Sequence, residues 1–403
     1  MKKFVISAIC ALLGVALAAQ TPEGNQVEYY QLDAEAYPVN ENYSLPDLLV
    51  CNSGKTVNTV KEWEKVRRPE ILSMFTTEMY GEVPGKPVGL HFALAAPDSV
   101  VYDGAGIRRR VRIFLDAEGK HSFDVLVHLP AKHDGKIPMF VGLNFHNIEE
   151  SLEQNRHTWP FEMIVREGFG VAEAYHSQIE PDGSEFDMDV VSASVRSWYK
   201  PAEEWGAISA WAWGISRIVD YLETLPEVDC GKIAVIGHSR LGKTALWAAA
   251  NDRRLAMAVS NNSGCCGAAL SRRGYGETFE VIGRNFPHWF VPEFNRYSGK
   301  DNEFPTDQHG LIALCAPRPV YVASAAEDHW ADPIGEWTAA YEAAPVYKLY
   351  GLKGLSRSSM QPLGHTDDFG SIAYKIRSGE HALWPDDWCD YIKFAKRQFY
   401  QGK

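Results

Sequence analysis

The clearest chemical signature in this chain is the run Val235-Ile236-Gly237-His238-Ser239-Arg240-Leu241-Gly242-Lys243. An apolar strand pattern ends in a Gly-x-Ser turn and passes at once into a helical pattern. That is the setting in which a serine hydroxyl is presented as a nucleophile. Gly237 permits a sharp turn beside the serine, and Gly242 keeps a second side chain from crowding it. The spacing is Gly-x-Ser-x-x-Gly, one residue longer than the common form. The competing reading is that Ser239 simply caps the helix. A serine attacks at neutral pH only with a base to take its proton and a carboxylate to orient that base. In this strand–turn–helix setting the chain order is Ser, then acid, then His. The acid is expected just past a later strand, and Pro319–Ser324 runs into Glu327, Asp328 and Asp332, all candidates. The base is expected between the last strand and the last helix. That selects His381 in Gly379-Glu380-His381 over His365, which precedes the strand.

The elements that must position these residues follow from periodicity. Thr59 to Tyr80 reads as helical after a polar lead-in over residues 20–60. Leu90–Ala96, Ile107–Leu115 and Phe123–Leu129 are β-branched and aromatic runs separated by short turns, which predicts antiparallel neighbours. From Ile137 the pattern alternates. Strands are expected at Ile137–Leu143, Gly170–Tyr175, Lys232–Ile236, Met257–Ser260, Pro319–Ser324 and Ile372–Ile376. Helices are expected at Phe161–Glu167, Ala207–Leu225, Leu241–Asn251, Ile334–Ala344 and Trp388–Phe399. Alternation of this kind implies an α/β fold: a mostly parallel sheet with helices on both faces and the early antiparallel strands at one edge.

Composition is that of a globular protein, with 45% hydrophobic and 23% charged residues among 403. A net charge of −12 argues against a nucleic-acid partner, since a polyanion is repelled on average. Lys2 and Lys3 precede the apolar run Phe4–Leu17 and the small residues Ala18-Ala19, which predicts a signal peptide over residues 1–19 and an exported protein, periplasmic or extracellular. That run is too short to span a bilayer, and no later segment is long and apolar enough. Residues 20–403 are read as one catalytic domain. Cys51, Cys230, Cys265, Cys266, Cys315 and Cys389 form no Cys-x-x-Cys pair, and most are expected to be buried thiols. The 13 histidines show no metal-ligand spacing, so neither a metal nor another cofactor is expected.

Several separate motifs, in one order, resemble the glucuronoyl esterases, most closely the bacterial branch. They are Gly237–Lys243, Ser260-Asn261-Asn262-Ser263-Gly264, Ala268–Arg273, Phe286–Phe290, Asp307-Gln308-His309, Ala316–Pro319, Trp330–Pro333 and Gly379-Glu380-His381 with Asp387-Trp388. The likeness runs from about residue 60 to the end. It implies an α/β-hydrolase, a three-layer sandwich, that cleaves esters of 4-O-methyl-glucuronic acid such as those joining glucuronoxylan to lignin alcohols. By this resemblance Ser239 is the nucleophile, His381 the base and Arg240 the residue that helps hold the oxyanion. Lys243, Glu277 and Trp330 match positions that contact the uronate ring. Many members carry a Glu where this chain has Asn262, which bears no charge; the triad acid is then the alternative one, which Asp328 matches.

The physics suits an ester of an acidic sugar. A second oxyanion donor is expected near Asn144-Phe145-His146, Lys243 lies one helical turn from Ser239, and Trp330 suits stacking on a pyranose. Each has a plainer reading: Lys243 solvated, Trp330 in the core, Glu277 paired with Arg272 or Arg273. His288, His309 and His329 are expected to pack or hydrogen-bond. The expected partner is a glucuronoxylan or other uronate ester, and the expected state is a monomer. The alternatives are an acetyl-xylan or other carbohydrate esterase, and a non-catalytic glycan-binding relative.

Overall fold

The computed structural model describes residues 19–20, 26–33, 35–153, 158–183, 194–201 and 204–400. The predicted leader lies outside the described residues apart from Ala19. Eleven strands build one sheet: β1 (His91–Leu94), β2 (Ser99–Val101), β3 (Gly106–Phe114), β4 (Ser122–Pro130), β5 (Ile137–Asn144), β6 (Gly170–Tyr175), β7 (Val228–His238), β8 (Leu255–Asn261), β9 (Val320–Ala325), β10 (Thr366–Asp367) and β11 (Ile372–Arg377). Their order across the sheet is β10-β11-β9-β8-β7-β5-β6-β4-β3-β1, with β2 also on β3. The strands β6, β5, β7, β8, β9 and β11 are mutually parallel. The strands β1 to β4 form the antiparallel edge, and β10 adds an antiparallel pair at the other.

Side chains alternate across a strand, so a strand covered on both faces must be apolar throughout. In β5 Phe140 packs into one hydrophobic layer and Val141 into the other. The same split separates Ile236 from Val235, Val259 from Ala258 and Tyr321 from Val322. Helices α1 (Ala207–Leu222) and α2 (Arg240–Asn251) cover one face with Trp211 and Trp247. Helix α3 (Pro333–Glu342) adds Ala339 to that layer, and α4 (Pro385–Tyr400) covers the opposite face with Trp388. These helices and the layered sheet are the α/β architecture expected from the sequence.

The expected helix over Thr59–Tyr80 is divided: wider π turns at Trp63–Arg67 and Thr76–Tyr80 flank the α-helix Arg68–Phe75. Pro69 has no N–H to donate into the preceding turn, which accounts for the break at its N-terminal side. The six cysteines of the described residues are free thiols, four of them buried. The Cys265 and Cys266 sulfurs lie 3.8 Å apart.

Candidate active site

The strand β7 ends at His238 and α2 begins at Arg240, so Ser239 alone makes the turn. Its backbone is held at φ 58°, ψ −129°, a conformation that costs a non-glycine residue energy and persists where surroundings enforce it. Two features enforce it. Ser239 N–H donates to the Asn261 carbonyl at 2.9 Å. A Cβ on Gly237 would lie 1.9 Å from the Leu241 carbonyl oxygen, so only glycine fits there. The Ser239 side chain makes no capping bond to the helix, which argues against the capping reading. Arg240 is the first helical residue, so its N–H has no partner within the helix and points out of the helix end beside the serine.

His381 stands on the turn between β11 and α4. Arg377 shapes that turn: its guanidinium donates to the carbonyls of Ser378 at 2.9 Å, Glu380 at 3.1 Å and Ala382 at 2.7 Å. The His381 Nδ1–H donates to Asp328 Oδ2 at 2.5 Å. A carboxylate only accepts, so the bond assigns the proton to Nδ1 and leaves Nε2 as the basic nitrogen. Burial opposes the charge on Asp328. The bonds from His381 and Asn262 outweigh it and hold the carboxyl below the usual aspartate range.

The other candidates are placed elsewhere. Asp332 takes the buried Arg273 Nε–H at 2.7 Å, and His365 Nδ1 bonds the Leu363 carbonyl at 3.2 Å. Glu327 is absent from the residues that line the cavity around Ser239. His309 donates to the Pro46 carbonyl at 2.9 Å, and His329 bonds the hydroxyls of Tyr30 and Tyr275 at 3.0 and 3.1 Å.

Ser239, His381 and Asp328 line one cavity of about 310 Å³ together with Arg240, Lys243, Glu277 and Trp330. Lys243 is buried, not solvated: its ammonium donates to the Ser263 carbonyl at 2.5 Å and sits 3.8 Å from Glu277 Oε2. Burial raises the Glu277 carboxyl, and Lys243 opposes that rise. Arg272 and Arg273 pair instead with Asp307 and Asp332. Trp330 is 42% exposed, which removes the core reading and leaves an indole face at the cavity. The loop at Asn144–His146, where a second oxyanion donor is expected, lies beside the elbow, with the Phe145 ring centre 5.9 Å from Arg240 Cζ and 6.3 Å from the His238 ring centre. The Phe145 N–H is already bonded to Asn144 Oδ1 at 2.8 Å, because the asparagine folds back on its own turn.

The arrangement of strand, strained serine, imidazole and carboxylate is that of an ester hydrolase. A family model described as glucuronyl esterase, fungi, matches residues 114–351. Carbohydrate esterase MZ0003, from an unknown prokaryotic organism, is 39% identical over 398 residues, which cover 89% of this chain and 90% of that protein. The chain belongs to the glucuronoyl esterase family. A solved structure of a glucuronoyl esterase from Solibacter usitatus, 38% identical, superposes with a TM-score of 0.83 over 90% of this chain and 99% of that one. The 4-O-methyl-glucuronoyl methylesterase of Neurospora crassa is 26% identical over 85% of this chain and 82% of its own. The fold is therefore the α/β-hydrolase expected from the sequence.

Three further side chains of this glucuronoyl esterase stand beside these residues, and of them the sequence had marked only Asn262, where many members carry a Glu. Asn262 Nδ2 donates at 2.9 Å to the same Asp328 oxygen that receives His381. Glu336, fully buried on α3, accepts the N–H groups of Ser263 and Gly264 at 2.8 and 2.9 Å and so holds the cavity wall that carries the Lys243 contact. Asp182 pairs with the Arg240 guanidinium. Nothing in the local pattern marks Glu336 or Asp182, since these partners lie tens of residues away in sequence.

Proposed function

We propose that this glucuronoyl esterase hydrolyses esters of 4-O-methyl-glucuronic acid through an acyl-enzyme on Ser239. The observation that carries the reading is the 2.5 Å His381–Asp328 bond at the rim of the cavity that the strained Ser239 also lines. His381 Nε2 takes the Ser239 proton as Oγ attacks the ester carbonyl carbon. The carbonyl oxygen becomes an oxyanion beside the Arg240 N–H and guanidinium; one such donor is typically worth about 3–4 kcal/mol in a dry site. Collapse of the tetrahedral intermediate breaks the C–O bond, and His381 gives its proton to the departing alcohol. Water, deprotonated by the same imidazole, then releases the uronic acid. Asp328 stays ionised throughout and steadies the imidazolium.

In this reading Lys243 and Glu277 contact sugar hydroxyls and Trp330 stacks on the ring. The hydrogen-bonding groups and the exposed indole of this lining suit a pyranose ring, which an esterified uronic acid presents beside the carbonyl under attack. The charged start and apolar run of residues 1–19 support export. Among the described residues, no helix is long and apolar enough to cross a membrane. The single sheet that supplies Ser239, Asp328 and His381 supports one catalytic domain over residues 20–403.

The test is hydrolysis of methyl or benzyl glucuronate by the Ser239→Ala variant. Activity is expected to vanish, and turnover at the parent rate would overturn the assignment. A parallel assay on acetylated xylan sets the substrate class: faster cleavage there than of uronate esters would favour the acetyl-esterase alternative.

A further inference from the structure

Asp182 lies well outside the elbow, yet four groups converge on its carboxylate. Oδ1 accepts the Trp289 indole N–H at 2.7 Å and is 2.9 Å from His288 Nε2. Oδ2 takes Arg240 Nη1 and lies 3.6 Å from His176 Nε2. Burial opposes the charge of this carboxylate, but the two histidines, Arg240 and the indole hold it well below the aspartate range, so it is an anion at every working pH. The indole it anchors lies under the same guanidinium, with Arg240 Cζ 4.7 Å from the Trp289 ring centre. Phe286 stacks on that indole at 4.0 Å and 5°. The Arg240 Nε is buried and has no hydrogen-bond partner among the described residues. A buried unpaired donor is costly, so its retention beside a reacting group calls for an acceptor that arrives with the substrate.

We propose that Asp182 is the positioning residue of the oxyanion pocket. It grips Arg240 by one terminal nitrogen and clamps the Trp289 ring on which the guanidinium lies, so that the remaining donors of Arg240 face the carbonyl oxygen under attack. Asp182 acts through Arg240 and touches no reacting atom. The inference rests on the ester-hydrolase reading above and adds a residue to it.

The decisive measurement is a double-mutant cycle on glucuronate ester hydrolysis, with Asp182→Asn, Arg240→Ala and the double variant, each checked by thermal melting. Stabilisation made only in the transition state lowers kcat and leaves KM nearly unchanged. Asp182→Asn is therefore expected to reduce kcat about 30-fold, against the roughly 100-fold or greater loss from deleting an oxyanion donor outright. In the Arg240→Ala background the same substitution is expected to cost less than about twofold, because the residue it positions is gone. An equal loss in both backgrounds, or an unchanged kcat in the single variant, would overturn the proposal. If Asp182→Asn does not fold, Asp182→Glu keeps the charge but displaces the grip, and it is read by the same cycle. An unaltered rate in Arg240→Ala would also overturn it. The ester-hydrolase reading itself is judged separately by Ser239→Ala.

Discussion

The turns that follow two neighbouring parallel strands line the same cavity as His381 and carry different chemistry. After β8 the chain places Asn262, with a left-handed backbone at φ 48° and a buried side chain that bears no charge. After β9 it places Asp328, the carboxylate that receives the His381 proton donor. The two turns are tied together, since Asn262 Nδ2 donates to Asp328 Oδ2 at 2.9 Å. In the triad proposed above, the difference teaches that one carboxylate within reach of the imidazole is enough and that the neighbouring turn need not supply it. The second turn then serves as a donor that fixes the acid. A carboxylate at both turns would set two like charges against one imidazole, and one of them would be driven to take up a proton.

The largest expected effect breaks the comparison at its charged side. Asp328→Asn should lower kcat on glucuronate esters about 10³–10⁴-fold with little loss of folding, since the amide keeps the shape but no longer holds the imidazole in the productive tautomer. Moving the carboxylate to the other turn, as Asn262→Glu in that background, should recover at least about tenfold of the loss. No recovery would mean that the β8 turn cannot reach the imidazole.

A middle-sized effect tests the donor. Asn262→Gly removes the amide while tolerating φ 48°, and a hydrogen bond to a charged acceptor is worth about 1.5–3 kcal/mol. A fall in kcat of about tenfold is expected; a rate equal to the parent would reduce Asn262 to packing.

Smaller still are the other acids of the β9 turn. Glu327→Gln and Asp332→Asn should leave kcat within about twofold. Asp332→Asn should nevertheless lower unfolding free energy by about 3 kcal/mol, because it leaves the buried Arg273 without its counter-charge. Comparable losses of kcat in these variants and in Asp328→Asn would show that the acid is misassigned.

The mildest effect concerns a second pair, two imidazoles with ring centres 4.5 Å apart. Burial, with His381 adding to it, lowers His238 from 6.5 to about 3, while its ring bonds Asn261 Oδ1 at 2.6 Å. The unfolded chain therefore binds a proton at His238 where the native state does not. Stability should be full above about pH 6.5 and decline as pH falls toward 3. Asp328, held below its ordinary range, acts in the same direction at lower pH: its contribution is present above the unfolded value of 3.8 and is lost as pH drops through the folded one. Denaturant titrations from pH 7 to pH 4 check the sign, and His238→Gln should flatten the upper part of the slope.

Much of the scaffold was legible because parallel strands buried on both faces have little freedom of composition. Gly170–Tyr175 was placed residue for residue, and β5 and β9 came within one residue of the expected bounds at each end. Strands β2 and β10, of three and two residues, carry too few side chains for any period to register. At the proposed site, Ser239, His381 and Asp328 were named from chain order together with family likeness, and the fold brings all three to one cavity. Lys243 and Trp330 were nameable, but their burial and exposure were not. Asp182, Glu336 and the Asn262 bond were invisible, because a hydrogen bond between residues far apart in sequence leaves no spacing to read.

From the residues alone came the strand–serine–helix turn, the alternation of elements around it and the order of nucleophile, acid and base. Those are local matters, decided by backbone sterics and by the burial of apolar faces over a few consecutive positions. Folding in three dimensions chose Asp328 over its two neighbours, turned Asn262 into its support and set Asp182 against Arg240. Such choices depend on which loops meet at the carboxyl ends of adjacent strands, where a difference of one ångström separates a hydrogen bond from none.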